Sequence, residues 1–509
     1  ANVRPETVFA RPDQFVGVTT YTGDGSSDRL IEFSGKFAPD LVYIKRRNSS
    51  NNLTMTDTVR GAQKNIRTST DGVETTDSNS LDGFRSTGFV VGSDSAFNGG
   101  DMVAWGWKAG GSKNTFNVDD VGYANASDVG MNVGGQNSSA YNQDQTWSNS
   151  LTTPTSFSLA ATNAFDGNLS NNCKVVGASN VQTSMVFDTN ITNVTLVEVY
   201  QSDDSYSTQK VFANSGTQFN FLQNQWVTIY SGSPITLDKI TVTSQNTSGE
   251  QPALAGVKVN GRLLVDNGVS VTNVPSIAPL GASVGTKQGF SIVKFHGNQT
   301  GGATVPHGLS QTPDFTIVKQ LTGTDESWRV KHKDIASTKT LYLNQSREEL
   351  SNTEYISGAD STTITLSTGL AGINADADYI MYAWHSVPGL QKFGKYEGNQ
   401  STDGTYVELG FRPALIWVKN IDTNSTHWVI VDKERDKTNP LGTKLAANLS
   451  NGDFLGGSFR AECDFLSNGF KMRGDSTDSS GMNASNTYVY CAWAEAPSTG
   501  LYGAQSTAR

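Results

Sequence analysis

An aromatic segment with alternating large residues occurs three times in the sequence and limits the folds open to this chain. The three copies read MVAWGW, YIMYAW and YVYCAW, and they end at Trp107, Trp384 and Trp493. Alternation with a period of two is typical of a β-strand with one buried face. We therefore expect the three tryptophans to lie in equivalent central strands and to form the core of three related domains.

A second signature precedes each aromatic segment. An aromatic-x-Gly turn leads to a proline, and then to an apolar strand that ends in lysine. The proline follows the aromatic residue 18, 18 and 17 positions later in the pairs Tyr21/Pro39, Phe295/Pro313 and Tyr396/Pro413. Landmarks in one order at near-constant spacing indicate an internal repeat. The predicted units are 15–110, 288–388 and 389–509, the last with a C-terminal tail, and each has about the length of a β-sandwich.

The segment between the first two units lacks this signature. Residues 111–140 and 271–287 are poor in large apolar side chains and are predicted as linkers. Between them, residues 141–270 contain strand-like patches such as VTLVEVY and LDKITVTS. Because surface loops tolerate insertions, we expect an independent inserted β-sandwich there. Residues 1–14 show no core pattern, and we predict an arm that docks to a neighbouring protein.

The composition favours an all-β fold and excludes several functions. The chain has 51 glycines and is rich in Ser, Thr and Asn, residues that weaken helix interiors. A net charge of −10 argues against binding to nucleic acid. No apolar run is long enough to span a bilayer, and residues 1–15 lack the apolar core of a signal peptide. We therefore expect synthesis in the host cytoplasm without membrane insertion. The three cysteines predict buried thiols, or at most one Cys463–Cys491 pair.

The repeat signature resembles a β-rich repeat in virion fibre proteins of marine tailed phages, notably cyanophages. FRPALIWVKN (411–420) and GFSIVKFHGNQTGGATVPHGL (289–309) carry this resemblance. The inserted segment resembles galactose-binding, discoidin-like jelly rolls through NAFDGN (163–168) and NGRLLVD (260–266). The first repeat departs from the pattern, with KRR where the third has KN. The implied fold is a series of jelly-roll-like β-sandwich repeats with an inserted galactose-binding-like β-sandwich.

The resemblance implies a structural or receptor-binding component of a virion. A tail fibre protein is the leading interpretation, and such proteins are often homotrimers. Its expected partners are other copies of itself, other virion proteins through the N-terminal arm, and a host-surface glycan or protein. Cyclic assembly also suits a head-to-tail β array, because symmetry multiplies weak contacts. A capsid decoration or head fibre protein is the alternative, followed by a polysaccharide-degrading tailspike.

Aromatic side chains outside the repeated segment are the candidates for sugar stacking, while packing in a core or interface is the alternative for each. These candidates are Trp147, Tyr206, Trp226, Trp328 and Trp428. Trp328 and Trp428 occupy similar positions in two repeats, which favours packing for both. Asp166 and Asn168 are the candidates for calcium in the inserted domain, because the jelly rolls that it resembles often hold an ion there.

The sequence predicts no enzyme. Residues 281–285 match G-x-S-x-G, but the strand before and the helix after that a nucleophile elbow needs are missing. The five histidines are dispersed and form no metal-binding motif. Two carboxylate pairs, Asp376/Asp378 and Asp475/Asp478, could serve a glycosidase or hold calcium, but plain acidic turns are the favoured explanation for both. We therefore expect no cofactor other than calcium.

Overall fold

A computed structural model of the chain describes residues 11–131, 145–177, 179–202, 209–245, 249–260, 262–266, 275–453, 462–474, 481–496, 498–499 and 505–506. The chain is 45% strand and 4% helix, so the predicted all-β class is confirmed. It divides into two compact units. Unit 1 comprises Ala1–Gly122, Leu280–Gly302 and Leu309–Arg509, and unit 2 comprises Tyr123–Pro279 and Ala303–Gly308.

The first repeat, in unit 1, is a two-layer β-sandwich. Its elements are β1 (Val16–Thr22), β2 (Arg29–Glu32), β3 (Leu41–Arg46), β4 (Thr54–Asp57), β5 (Lys64–Arg67), β6 (Thr75–Thr76), β7 (Leu81–Arg85), β8 (Gly88–Val91), the short helix α1 (Ser95–Asn98) and β9 (Asp101–Trp107). One sheet has the order β1-β9-β3-β4-β5-β6, and the other has the order β2-β8-β7. Buried apolar residues such as Phe33, Val42 and Phe89 fill the space between the sheets.

Unit 2 contains a separate sandwich with its own core. After β10 (Phe116–Val118) and β11 (Val121–Tyr123), its strands are β12 (Leu151–Thr152), β13 (Phe157–Leu159), β14 (Cys173–Val175), β15 (Ser184–Gln201), β16 (Lys210–Ala213), β17 (Phe219–Asn220), β18 (Gln225–Thr243), β19 (Ala253–Leu254), β20 (Gly256–Val259) and β21 (Arg262–Leu263). The larger sheet has the order β17-β16-β18-β15-β20-β21, with β12 also paired to β15. The smaller sheet has the order β13-β14-β19.

The second repeat follows unit 2 in the sequence. Its strands are β22 (Pro279–Gly285), β23 (Phe290–His296), β24 (Thr304–Pro306), β25 (Phe315–Gln320), β26 (Arg329–His332), β27 (Lys339–Tyr342), β28 (Leu350–Ser351), β29 (Ile356–Ala359), β30 (Thr363–Leu366) and β31 (Asp378–Trp384). The large sheet has the order β11-β10-β22-β23-β31-β25-β26-β27-β28. The segments predicted as linkers therefore contribute strands to this sheet, since β10 lies in 111–140 and β22 in 271–287.

The third repeat reproduces the first. Its strands are β32 (Gln391–Glu397), β33 (Tyr406–Glu408), β34 (Pro413–Asn420), β35 (Val429–Asp432), β36 (Leu445–Ala446), β37 (Cys463–Leu466), β38 (Gly469–Met472) and β39 (Thr487–Ala494), followed by β40 (Ser498–Thr499) and β41 (Gln505–Ser506). Its sheets have the orders β32-β39-β34-β35-β36 and β33-β38-β37. Short 3-10 helices complete the described structure, at Pro12–Gln14, Ala126–Val129, Trp147–Ser150 and Ala161–Ala164.

The central aromatic strand of each large sheet is buried on both faces, not on one face as the alternation predicted. In β9, Met102 and Ala104 pack into the sandwich of the first repeat. The neighbouring residues Val103, Trp105 and Trp107 belong to a different core, which contains residues of all three repeats. Strands buried on both faces are apolar along their length. The aromatic face therefore packs between repeats and not inside one sandwich.

Trp107, Trp384 and Trp493 meet one another at the centre of this shared core. Their ring centroids lie 5.4 Å apart for Trp107–Trp493 and 6.4 Å apart for the other two pairs. All three pairs are edge-to-face, the arrangement that the quadrupoles of aromatic rings favour. The three side chains are at most 1% exposed. One cluster of indoles therefore holds the three repeats together.

Contacts between the repeats are cyclic. Asp57, His332 and Asp432 occupy the same register position in β4, β26 and β35. Asp57 accepts a hydrogen bond from Tyr382 of the second repeat at 2.7 Å, and Asp432 accepts one from Trp105 of the first at 3.1 Å. The corresponding partner of His332 Nε2 is the carbonyl of Tyr490 in the third repeat, at 3.2 Å. Each repeat therefore contacts the next, and the third contacts the first.

The lysine that ends each signature strand is buried, and in the first two repeats it donates to another repeat. Lys45, Lys319 and Lys419 are completely buried and donate to backbone carbonyls. Lys45 reaches the carbonyl of Ser450 in the third repeat, and Lys319 reaches that of Asp71 in the first, each at 2.8 Å. Burial lowers the pKa of Lys45 and Lys319 to about 8 and that of Lys419 to about 7. A three-fold arrangement therefore exists inside one chain, while a trimer of chains stays a prediction.

Candidate functional site

The outer face of the larger sheet of unit 2 carries the candidate site. The central strand β15 is flanked by β18 and β20, and Tyr200 lies opposite Trp226 on one side and Gly256 on the other. Val197 and Val199 point into the core of unit 2. Since side chains alternate along a strand, Glu198 and Tyr200 point to the opposite face. Both of these residues are half-buried.

An aromatic pair and a cation meet on this face. The rings of Tyr200 and Trp226 lie 5.3 Å apart between centroids, at an interplanar angle of 51°. The ammonium of Lys258 lies 4.0 Å from the centroid of the Trp226 ring, within cation–π distance. We call Tyr200, Trp226 and Lys258 the aromatic platform.

Gly256 makes room for the indole of the platform. A Cβ atom at this position would lie 3.2 Å from Cη2 of Trp226 and 2.8 Å from Cδ2 of Leu169. The indole therefore reaches from β18 across β15 to β20, and any side chain at position 256 would displace it. The absent side chain brings the ring close to the sheet while it stays partly exposed.

Lys258 has no ionic partner in the described part of the chain. Glu198 lies opposite it in the register of β15 and β20, but no ion pair of 4.0 Å or less joins them. A partly exposed ammonium beside two partly exposed rings can donate hydrogen bonds to a bound molecule, while the rings cover the apolar face of that molecule. Pyranose sugars have this combination of an apolar face and hydroxyl groups.

The predicted ligand-binding aromatics differ in how exposed their side chains are. All nine tryptophans lie in the described residues, and eight are less than 2% exposed, so that Trp226 alone is partly accessible. Trp147 packs edge-to-face on Phe187 in the core of unit 2. Tyr206 lies outside the described residues.

Trp328 and Trp428 serve the contacts between repeats. Trp328 Nε1 donates to the carbonyl of Thr70 in the first repeat at 3.1 Å, and Trp428 Nε1 donates to that of Tyr342 in the second at 2.9 Å. Because Trp147, Trp328 and Trp428 are buried, the expectation that they stack on a ligand is corrected for all three. Packing, the alternative named for them, is what the structure shows.

The oxygens of the predicted calcium ligands accept hydrogen bonds within one turn of the chain. Asp166 Oδ1 accepts from the backbone N–H of Asn168 at 2.8 Å, and its Oδ2 accepts from the side-chain amide of Asn171 at 3.2 Å. Asn168 Oδ1 accepts from the N–H of Ser170 at 3.0 Å. This is the local hydrogen bonding typical of Asx turns. In the described ranges, no three His, Cys, Asp or Glu side chains converge as metal ligands do.

The catalytic candidates also have structural partners. Ser283 lies buried in the strand β22, where its hydroxyl donates to the carbonyl of Gly111 at 2.8 Å. Asp376 and Asp378 bind the two ring nitrogens of His296 at 2.9 and 2.8 Å. Hydrogen bonds to these carboxylates favour the protonated ring and so raise the pKa of His296. Asp475 and Asp478 lie outside the described residues.

The sequence also raised the questions of cysteine pairing and of membrane-spanning segments. The three cysteines are buried and unpaired, so the alternative Cys463–Cys491 disulfide is absent. Among the helices of these ranges, none has the length and apolar character needed to cross a membrane.

The fold and the platform define an all-β protein with a partly exposed aromatic surface in unit 2. The sequence matches the family described as Domain of unknown function (DUF7483) over residues 11–252 and 265–497. The chain belongs to this family. The comparison with curated proteins found no match.

Two solved structures show a weak likeness. The family 32 CBM from C. perfringens NanJ in complex with galactose is 17% identical, with 22% of this chain and 95% of that chain covered and a TM-score of 0.17. The arabinofuranosyltransferase AftD from Mycobacteria, mutant R1389S, is 9% identical, with 72% and 33% covered and a TM-score of 0.18. The chain thus spans about a third of that transferase. At such TM-scores, neither likeness bears on the site.

Sequence reasoning named Trp226 but missed Tyr200, Lys258 and Gly256. Tyr200 lies in the strand-like patch VTLVEVY, where alternation with buried valines marks it as outward-facing. Lys258 lies in the patch AGVKVNG, between two buried valines. These patterns give the direction of each side chain, but only the register of the sheet brings the three together.

Proposed function

We propose that this protein is a non-enzymatic adhesive protein of a virus particle, and that unit 2 binds a glycan through the aromatic platform. The single observation that carries the proposal is the partly exposed Trp226, which lies beside Tyr200 and under the unpaired ammonium of Lys258. Stacking on the indole supplies affinity. Lys258 donates hydrogen bonds to hydroxyl or carboxylate oxygens of the sugar.

Unit 1 supports an adhesive role by its rigidity. A closed set of repeats around buried tryptophans holds its loops in fixed positions, and loops on rigid scaffolds are where binding surfaces commonly form. We propose a tail fibre as the location, with a capsid decoration protein as the alternative. Antibody labelling of intact particles in electron micrographs should mark the tail fibres. Labelling over the capsid would favour decoration instead.

The binding test uses the fluorescence of Trp226. The purified chain is first screened on a glycan array that includes neutral and acidic sugars. Sugars that bind are then titrated while the fluorescence is recorded. Because the other eight tryptophans are buried, an altered emission and protection from acrylamide quenching would report on Trp226.

Variants then assign the site. Stacking that buries roughly 60 Å² of the indole is worth about 1.5 kcal/mol, so Trp226→Ala should weaken binding about tenfold. Lys258→Gln should weaken acidic sugars more than neutral ones, because a charge-assisted hydrogen bond is lost. Tyr406→Ala, at an exposed tyrosine of unit 1, and Lys239→Gln, at an exposed lysine of unit 2, are the controls. A sugar that alters the emission of Trp226 yet binds the Trp226→Ala variant with unchanged affinity would contradict the proposed site. Product sugars released from a polysaccharide would contradict a non-enzymatic role.

A further inference from the structure

A polar cleft of about 450 Å³ opens in the first repeat, in unit 1. Asn51 and Asn52 line it from the loop between β3 and β4, and Arg67 lines it from the end of β5. Asp77 and Asp94 line it as well. Its volume lies within the range that small-molecule sites occupy.

Three side chains at this cleft have N–H groups without a partner in the described part of the chain. Arg67 is exposed, and its guanidinium makes no hydrogen bond or ion pair of 4.0 Å or less with any described residue. The side-chain amide of Asn51 likewise makes none with them, since only its backbone carbonyl is engaged, by Lys45. Asn52 has its Oδ1 occupied by the hydroxyl of Ser69 at 2.8 Å, so its amide N–H groups are left to donate.

The carboxyl group of Asp94 lies beside that of Asp77 at this cleft. Asp94 Oδ1 caps α1 by accepting from the N–H of Ala96 at 2.9 Å, and Asp77 Oδ1 accepts from the N–H of Asn79 at 2.8 Å. Burial raises the pKa of Asp94, and a hydrogen bond and the charge of Asp77 raise it further, while Arg67 opposes this. Both carboxyl groups line the cleft and can accept hydrogen bonds there.

At the equivalent position of the second repeat, an arginine is paired with a carboxylate of the same repeat. Thr54 and Arg67 pair in the register of the first repeat, as Arg329 and Tyr342 do in that of the second. Arg329 is 3% exposed, binds Glu354 at 2.5 Å and lies 4.9 Å over the ring of Tyr342. Opposite charges therefore neutralise each other in the second repeat, whereas the first repeat leaves its arginine unpaired beside a cleft.

We infer that this cleft is a second ligand site, which takes a neutral polyhydroxylated molecule such as a hexose. Arg67 and the two asparagines supply donors for hydroxyl oxygens, and the carboxyl pair accepts from neighbouring hydroxyl groups. A lining with both donors and acceptors suits a molecule with many hydroxyl groups, and the positive charge of Arg67 opposes a divalent cation. The site is separate from the aromatic platform and requires none of its residues.

The test titrates the full chain with galactose, glucose and mannose in turn, using isothermal calorimetry at millimolar concentrations. At least one hexose should bind with saturation. Arg67→Gln and Asp77→Asn should each weaken it about tenfold or more, because each removes a hydrogen bond to a charged group. The matched controls Arg85→Gln and Asp82→Asn change the same residue types in the first repeat outside the lining and should leave the affinity unchanged.

Other outcomes would overturn the inference. Binding of none of the three hexoses would do so, as would calcium binding that Asp77→Asn abolishes. Hexose binding that is lost in Trp226→Ala and kept in Arg67→Gln would assign the sugar to unit 2 alone and leave the proposed function standing. Conversely, binding that responds to Arg67 while the fluorescence of Trp226 stays constant would support the cleft without the platform. Thermal unfolding of each variant confirms that it is folded.

Discussion

Replacement of Trp107 by Ala should weaken all three repeats of unit 1 together. The side chain is 1% exposed, and its ring contacts those of Trp384, Trp417 and Trp493 at 6.4, 6.2 and 5.4 Å. Its indole N–H has no partner among the described residues, so no hydrogen bond is lost. Truncation of a buried tryptophan costs about 3–5 kcal/mol, and three ring contacts place this one near the upper end, at roughly 4–5 kcal/mol.

The assay is urea unfolding, accompanied by calorimetry to separate the two units. With a urea dependence of about 3 kcal/mol per molar for a unit of this size, the loss lowers the midpoint by about 1.5 M. Unit 2 has its own core, so its transition should stay in place. Trp226→Ala is the matched control, because that side chain is partly exposed and belongs to unit 2.

Two results would refute this reasoning. A midpoint shift of about 0.3 M or less would mean that the indole cluster contributes little. A transition of unit 1 that splits, with the second and third repeats unfolding as in the unaltered protein, would mean that the repeats do not share one core.

Three further predictions concern buried polar groups. Tyr382→Phe removes the donor to Asp57 and should cost about 1.5–3 kcal/mol of unfolding free energy, whereas no change in a urea titration would contradict this contact. Burial lowers the pKa of His332 to about 4, so the unfolded chain binds more protons between pH 4 and 6.5. Acidification over that range should cost the protein about 3 kcal/mol more than the His332→Gln variant, and parallel pH profiles would disprove it. Lys419, whose pKa burial lowers to about 7, gives stability that rises with pH from 7 toward 10, a slope that Lys419→Met should reduce in the same titrations.

The repeated framework could be predicted from sequence because its signals are local. The spacing from aromatic turn to proline and the alternation before each terminal tryptophan both lie within one repeat. The meeting of the tryptophans could not be predicted. Met102 and Ala104 are as apolar as Val103, so the pattern does not reveal which face of β9 enters the sandwich and which faces another repeat.

Strand β22 could not be predicted from the sequence because its residues are small. Strand β22 contains Gly281, Ala282, Ser283 and Gly285, a composition that predicts a flexible linker. The strand forms because it pairs within a sheet, and Ser283 makes hydrogen bonds there with Gly110 and Gly111. Such pairing depends on distant segments, so no local pattern predicts it.

The candidate site depended on register more than on residue type. Trp147 and Trp226 were equal candidates in the sequence, yet one is buried against Phe187 and the other lies on an outer sheet face. Tyr200 and Lys258 join Trp226 only because three antiparallel strands align them. The cleft of the first repeat likewise needs segments that only the folded sandwich brings together.

We claim that the three repeats close around one tryptophan core. The most direct test is a disulfide between the first and third repeats within one chain. The backbone N–H of Asp453 donates to the carbonyl of Arg47 at 2.7 Å, and the two side chains form an ion pair at 2.7 Å. After oxidation of the double variant Arg47→Cys, Asp453→Cys, non-reducing electrophoresis and mass spectrometry should show a disulfide joining positions 47 and 453 in a single chain. Absence of this disulfide, or its formation only between chains, would contradict the closure of three repeats around one tryptophan core.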